Sequence, residues 1–584
     1  MIPIPIPIPV VLLACRPGEI DLPGGPILPP PVASVDVAKE AHAQDWEVGG
    51  HLKRGRGCTV GDFDLDGDPD VALANPADET YILLNESTPG HLSFAPGPIL
   101  ADGGLVWALS AADFDGDGDL DLAGALGGLE GREYDRLLLN RTVETGVLSF
   151  DDVTDVVGIA GPWDETHTVQ LKTASLEHQW IDFDGDGDLD LWVDSTHWPQ
   201  TWTEPPEEGV LGVSQLWRND DGVFTDVAVE VGLGRKASAR YSSWLDVDGD
   251  GDLDLHHNAM QPSLSATFRN DDGVFVEVEN GWGIDGSDAR YPPESFASTT
   301  ADFNNDGWDD LLKFSRGWPS DGPHRLGHTL FLNAQGRGLV DVTELSNLND
   351  PFLDGLRDHQ ANGVMGSTAR DINGDGLPDV ILGNGGPTGG YPDGLFVTAG
   401  LDEVDLGGEA GVLLVPRFEN AQPLIDQPAE EDPASGLSWP PYPYRTHALC
   451  VADFDLDGFP ELYVMHGGMS LVGGNGAREP NQLFRFTYRV PPHHLSVALH
   501  GDGVTVPWTP VGARIAVTAR RGDLTWVVRD TFKTVEGFAA QHGEVRWLGL
   551  ADAESIDRVE IAWPDGTVTV REDAAIDGTI EVWR

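Results

Sequence analysis

Seven nine-residue acidic stretches of one pattern, D-x-[DN]-x-D-G-x-x-[DE], are the residues of this chain best placed to do chemistry. In the first, Asp62, Asp64, Asp66 and Asp70 hold positions one, three, five and nine, with Gly67 at six. The second sets Asp113, Asp115, Asp117 and Asp121 in those places, and the third Asp182, Asp184, Asp186 and Asp190. Next come Asp246, Asp248, Asp250 and Asp254, then Asp302, Asn304, Asp306 and Asp310. The sixth carries Asp371, Asn373, Asp375 and Asp379, and the seventh Asp453, Asp455, Asp457 and Glu461. The chemistry is cation coordination. Carboxylates at this spacing, turned by a glycine, converge oxygens on one point and repel strongly unless a cation joins them. A hard ion with about 6–8 oxygen ligands at about 2.3–2.6 Å relieves that, and flexible all-protein cages suit calcium better than magnesium. The expectation is about seven calcium ions per chain. Position seven varies (Asp68, Asp119, Trp308, Leu377, Phe459), as expected where only a backbone carbonyl coordinates. EF-hands are excluded, because the bidentate Glu they need at position twelve is absent: Leu73, Gly124, Val193, His257, Lys313, Leu382 and Val464 stand there.

Loops of this kind need rigid elements on both sides. A short apolar or mixed run precedes each, such as Trp107–Ala111, and another follows, such as Val71–Leu73 or Val380–Leu382. A third run ends several units (Tyr81–Asn85, Arg136–Asn140, Gln215–Asn219, Thr329–Asn333), and a fourth is visible at Val223–Val227 and Val274–Val278. Four strands per unit is the make-up of a propeller blade, and seven units lie within the range that closes a ring. The spacing, about 65 residues per unit, exceeds compact propeller repeats of about 40–50, so the blades carry insertions. Two are expected at 196–209, with Trp198 and Trp202, and at 401–445, acidic and Pro-rich. The run 34–38 resembles a fourth strand yet precedes the first loop, while the seventh unit lacks one after Gln482–Phe486. The N-terminal strand is therefore expected to complete the last blade. Residues 493–584 alternate apolar and polar between Gly and Asp turns, as a small β-sandwich or barrel does. The fold class is all-β: a seven-bladed β-propeller with calcium loops, followed by that small domain.

The acidic loops with their flanking strands resemble the FG-GAP/VCBS repeats of integrin-α-type propellers, over roughly residues 34–490. The C-terminal part resembles an ASPIC/UnbV domain, through Val511-Gly-Ala-Arg-Ile-Ala-Val517, Gly537-Phe-Ala-Ala-Gln541, Trp547-Leu-Gly-Leu550 and Ile561-Ala-Trp-Pro-Asp-Gly566. Phe538-Ala-Ala540 stands where that family usually shows a Tyr-Leu-Ser-like step. Propeller plus this domain is the arrangement of the cartilage acidic protein-like family, here of bacterial lipoprotein type. The resemblance implies a calcium-binding extracellular protein and no agreed reaction.

Charge and composition remove other classes. With 97 Asp plus Glu against 35 Lys plus Arg, the formal charge is −62, which excludes a nucleic-acid binder of ordinary kind and an anionic membrane surface as partner. The 40% of apolar residues excludes disorder. Residues 1–15 form an apolar opening that ends Leu12-Leu13-Ala14-Cys15, like a bacterial lipobox with Cys15 as the lipidated residue, and 16–33 read as a Pro/Gly-rich tether. No lysine or arginine precedes the run, and alternating Ile-Pro is unlike a helical signal. The expected address is an exported lipoprotein of the bacterial envelope, in its outer membrane, or else a secreted protein, with a membrane contact only through that lipid.

Cys58 and Cys450 lie four and three residues before the first and seventh loops. Side chains on a strand alternate with period two, and neighbouring blades face each other with opposite sides, so this opposite parity suits a disulfide closing the ring. Catalytic signals are thin: H-E-x-x-H, G-x-S-x-G and the P-loop pattern are absent from the sequence. Gly281–Gly286 matches G-x-G-x-x-G without a following helix, and His256-His257 and His493-His494 lack ligand spacing. Asn85 and Asn140 open glycosylation sequons only on paper if the host is bacterial. The leading function is a binding, adhesion or scaffold module for a protein or glycan; the alternative is an exported hydrolase-type enzyme with its site at the propeller channel mouth.

Overall fold

The computed structural model describes residues 22–23, 26–44, 48, 52–76, 78–102, 106–126, 135–159, 174–196, 214–234, 239–259, 265–278, 282–284, 295–315, 328–348, 364–385, 392–408, 410–425, 427–428, 443–467 and 478–584. The lipobox with Cys15, and Trp198 and Trp202, lie outside these.

Among the described residues seven sheets make up the first part, each of four antiparallel strands, the first extended to five by a parallel strand from the C-terminal part. The innermost strand of each runs into its acidic loop: Gly57–Gly61, Val106–Ala112, Ala174–Ile181, Ala239–Leu245, Ser295–Ala301, Val364–Arg370 and Thr446–Ala452. Each of these strands packs beside the next, and Thr446–Ala452 returns to Gly57–Gly61, so the sheets close into a ring of seven blades. The inner strands are almost wholly buried, being covered by a neighbouring blade on each face. Aromatic and aliphatic side chains such as Trp180, Phe224 and Leu191 fill the wedges between blades.

Ala33–Asp36 pairs antiparallel with Gln482–Thr487 and supplies the fourth strand of the last blade. The two ends of the propeller segment thus share one sheet. The Pro-rich stretch before this strand reads as a tether, but its described part is pinned. Leu22–Pro23 pairs in parallel with Trp526–Val527, and Leu28 donates its N–H to Asp375 and packs on the C-terminal core. The acidic insertion expected at 401–445 also needs correction. Gly394–Gly407 and Gly411–Asn420 are the third and fourth strands of blade six, paired along their length. Leu413 and Val415 are buried while Asp402, Glu403 and Glu419 are exposed, so the acidic residues belong to a long paired hairpin and not to a loop insertion.

The C-terminal domain is two small sheets around a common core. Arg514–Arg521 lies between Leu524–Thr531 and Ser555–Ala562, with Val568–Arg571 outside; His494–His500 lies between Arg546–Gly549 and Gly578–Trp583. Trp526, Val517, Leu495 and Leu548 meet between them. A further short strand, Ala540–Gln541, leaves this domain and pairs with Gly57–Gly61 of the first blade.

Candidate metal centres and the domain that covers them

Each acidic loop is built the same way. The glycine at position six has φ between +85° and +103° in all seven, a left-handed turn that other residues resist. Its N–H donates to the position-one carboxylate at 2.7–3.2 Å in every loop. The position-nine carboxylate accepts the N–H of position two, as Asp70 does from Phe63 at 3.2 Å and Glu461 from Phe454 at 3.0 Å. Its other oxygen accepts a backbone N–H from the end of the third strand in six blades, as Asp121 does from Asn140 at 2.8 Å and Asp379 from Thr398 at 2.7 Å. Position nine thus fastens the loop to its own sheet.

These bonds hold carboxylates together that repel one another. Asp62, Asp64 and Asp66 present oxygens within 4.8 Å of one another, as do Asp113, Asp115 and Asp121; Asp182, Asp184 and Asp190; and Asp246, Asp248 and Asp250. Burial, with the like charges of positions three and five behind it, pushes Asp62 up to about 6. Burial likewise raises Asp113, Asp182, Asp371 and Asp453 to about 7 and Asp302 to about 8. In the first four loops a buried carboxylate oxygen also has no protein partner: on Asp68, Asp117, Asp184 and Asp248. A buried polar atom without a partner is costly, so an all-oxygen donor set with such atoms fits a hard cation.

Two features of the loops escape the sequence pattern. Position seven is more than a carbonyl, since the side chains of Asp119, Asp188 and Asp252 accept N–H groups from the turn after the third strand at 2.8–3.0 Å. An asparagine near the end of five third strands ties adjacent blades through its side-chain amide in four of them, while Asn219 bonds the Leu189 carbonyl of its own loop. The repeated Asn was visible in the sequence; its partners were not. Asn85 and Asn140, which open the two sequons, are among these and are buried at 3% and 0% exposure, which excludes them as glycan acceptors in the folded chain.

The acidic-loop face is covered by the C-terminal domain. Thr509 accepts the N–H of Asp113, Arg514 pairs with Asp246 at 2.7 Å, Arg529 donates to the Asn305 carbonyl and Trp547 to that of Gly458. Residues 533–542 go further, into the ring. Lys533 reaches Thr300, Thr534 the Trp180 carbonyl, and the N–H groups of Gly537 and Ala539 reach Tyr241 and Glu177. Gln541 bonds both backbone groups of Ala111 at 2.7 and 2.8 Å. Cys58 donates to the Ala539 carbonyl at 3.0 Å, and His542 bridges Thr368 and the N–H of Val451. All seven inner strands are touched, so this segment lies on the ring axis. Arg370 and Arg546 converge on Glu536 at 2.7 and 2.9 Å and lock it at the blade-six edge. The channel mouth on this side, the place considered for an enzyme site, is filled by the chain itself.

Other candidate groups have structural partners. His256 bonds Thr267 and Asn258 inside blade four, and His257 bonds Ser214. His493 pairs with Asp577, while His494 stacks on Trp547. Of the Gly281–Gly286 motif only 282–284 are described. Cys58 and Cys450 are joined by a disulfide with Cα atoms 6.3 Å apart.

Comparison with known proteins follows this geometry. The model of the FG-GAP-like repeat matches residues 62–124, and that of ASPIC and UnbV matches 504–583. The chain therefore carries an FG-GAP-like repeat and an ASPIC/UnbV domain. Cartilage acidic protein 1 of Xenopus tropicalis is a distant relative, 23% identical over 544 residues, covering 89% of this chain and 71% of that protein. Among solved structures, the BBS1N–ARL6DN complex soaked with lead aligns with 76% of this chain and 96% of its own at 8% identity and a TM-score of 0.40. The rhamnogalacturonan lyase YesW aligns with 81% and 75% at 13% identity and a TM-score of 0.35. The residues that carry the UnbV likeness, Arg514, Gly537, Gln541 and Trp547, are the ones that dock this domain on the FG-GAP propeller.

Proposed function

We propose that this FG-GAP/UnbV protein is an exported, surface-attached calcium-binding propeller that serves as a binding, adhesion or scaffold module for a protein or glycan partner. The carrying observation is the set of buried carboxylate oxygens without a protein partner in the acidic loops. Calcium, at most one ion per loop, neutralises the converging carboxylates. Positions one, three, five and nine would hold it, with the backbone of position seven. The chain's own part is to pre-form the turn, through the left-handed glycine and the N–H groups on position one, so that the carboxylates are already convergent.

The C-terminal domain then rests on loops whose shape the ions maintain, and the opposite face of the ring is left for a partner. The family likeness supports an extracellular address, and the lipobox-like Leu12-Leu13-Ala14-Cys15 supports a lipid anchor on Cys15. Among the described residues no helix is long and apolar enough to cross a membrane. The test is a glycan array and a pull-down with the full chain, each run in millimolar calcium and in chelator. Calcium-dependent capture of one partner class supports the reading, and capture indifferent to calcium contradicts it. Intact-mass analysis of the membrane fraction checks the anchor, which an unmodified N-terminus on released protein would rule out.

A further inference from the structure

The seventh acidic loop differs from the others in what already fills it. Its candidate ligands are Asp453, Asp455, Asp457 and Glu461. Arg485, on the third strand of the same blade, sets one guanidinium nitrogen against Oδ2 of Asp455 and its Nε 3.5 Å from Oε1 of Glu461. The Asp455 and Glu461 side chains are 0% and 1% exposed and that of Arg485 is 32% exposed, so the two carboxylates are buried and the guanidinium closes over them from the rim. A positive charge thus stands between positions three and nine, where a cation would gather them.

Three further observations agree. The first four loops keep a buried carboxylate oxygen with no partner; the fifth, sixth and seventh keep none among the described residues, and in the seventh the Arg485 guanidinium meets two of the candidate ligands. Position nine is Glu461 here and Asp in the other six loops, and the extra methylene lengthens its reach toward Arg485. The third strand carries Phe486, buried in the apolar wedge, where five other blades have the asparagine. In the fourth loop, by contrast, Arg514 touches only the position-one Asp246, and Asp248 retains its unpartnered oxygen.

We propose that Arg485 is the built-in cation of the seventh loop, so that this loop takes no calcium and the ring binds one ion fewer than it has loops. The location gives this a purpose. Blade seven is the closing seam, and Arg485 also donates to the Gly90 carbonyl of blade one at 3.3 Å. With the N-terminal strand and the Cys58–Cys450 bond at the same seam, the ring stays closed when calcium is withdrawn, while the other loops respond to the ion.

The inference rests on calcium being held by the other loops. Native mass spectrometry of the metal-free full chain, titrated with calcium, tests it. Arg485→Gln is expected to carry one ion more than the parent, Asp455→Asn the same number, and Asp115→Asn one fewer. Equal counts in Arg485→Gln and the parent, or one ion lost in Asp455→Asn, overturn the proposal and leave the calcium reading standing. Absence of bound calcium from all four proteins overturns that reading and this inference with it. If Arg485→Gln does not fold, the Asp455→Asn count decides alone.

Discussion

The side-chain amide of Asn85, at the end of a strand in the first blade, donates to the backbone carbonyl of Phe454 in the last, 2.7 Å away. The relation repeats in three more blades, each tied to its predecessor: Asn140 to Phe63, Asn270 to Phe183 and Asn333 to Val247, at 2.9–3.0 Å. The same amide of Asn85 and Asn140 also bonds the carbonyl of position eight in its own loop. Asn140→Ala removes the amide donor from the Leu120 carbonyl and leaves the Phe63 carbonyl with the Thr142 hydroxyl alone, and is expected to cost about 1–3 kcal/mol. Denaturant unfolding in saturating calcium checks this, and a loss too small to resolve would show that the tie is dispensable.

The Cys58–Cys450 bond links positions 392 apart. In the chain-entropy model a loop of that length stabilises by at most about 6 kcal/mol, with the mechanism disputed. Alkylation of the unreduced, denatured chain should label neither cysteine, and Cys58→Ser should lower the melting temperature by several degrees. Labelling of both thiols would disprove the bond.

Burial holds two histidines, His328 and His466, down at about 4. His466 sits between Thr446 and Gln482, with no acid to support a charge. The unfolded chain protonates them near 6.5, so the stability they contribute is complete above that pH and is lost as pH falls through 4. Each is worth up to about 3 kcal/mol across that window. Asp194, raised to about 7 by burial, acts the other way: its contribution is present at low pH and lost as pH rises through 7. Comparing the parent with His466→Gln isolates the histidine, and the variant should show a shallower fall in stability between pH 6.5 and 4. Parallel curves would contradict the assignment.

Gly537 has φ of +80°, and a Cβ there would stand 1.8 Å from the Ser367 carbonyl oxygen. Gly537→Ala is expected to push residues 533–542 out of the ring. The readout is hydrogen exchange at the Cys58 and Ala111 amides, which that segment protects. Faster exchange with an otherwise intact ring is expected; unchanged protection would mean that the segment tolerates the methyl group.

How far this was legible in the sequence depends on the range of the interactions. The acidic loops and their strands are local and periodic, and the N-terminal strand of the last blade follows from counting strands. The blade-six hairpin read as an insertion because Asp402, Glu403 and Asp405 crowd its third strand with exposed acids and mask the strand pattern. The axial segment was illegible for another reason. Gly537 and Gln541 carry no period, and Gln541 finds Ala111 across 430 positions. Arg485 was equally hidden, since its place in the seventh loop depends on how a strand and a turn face each other.

The most direct measurement is thermal unfolding of the full chain in calcium, in magnesium at the same concentration and in chelator. Calcium is expected to raise the melting temperature by several degrees in a saturable way that magnesium does not reproduce, because the ion relieves carboxylates that the fold holds together. Superimposed transitions in all three conditions would contradict the reading of the acidic loops as calcium sites.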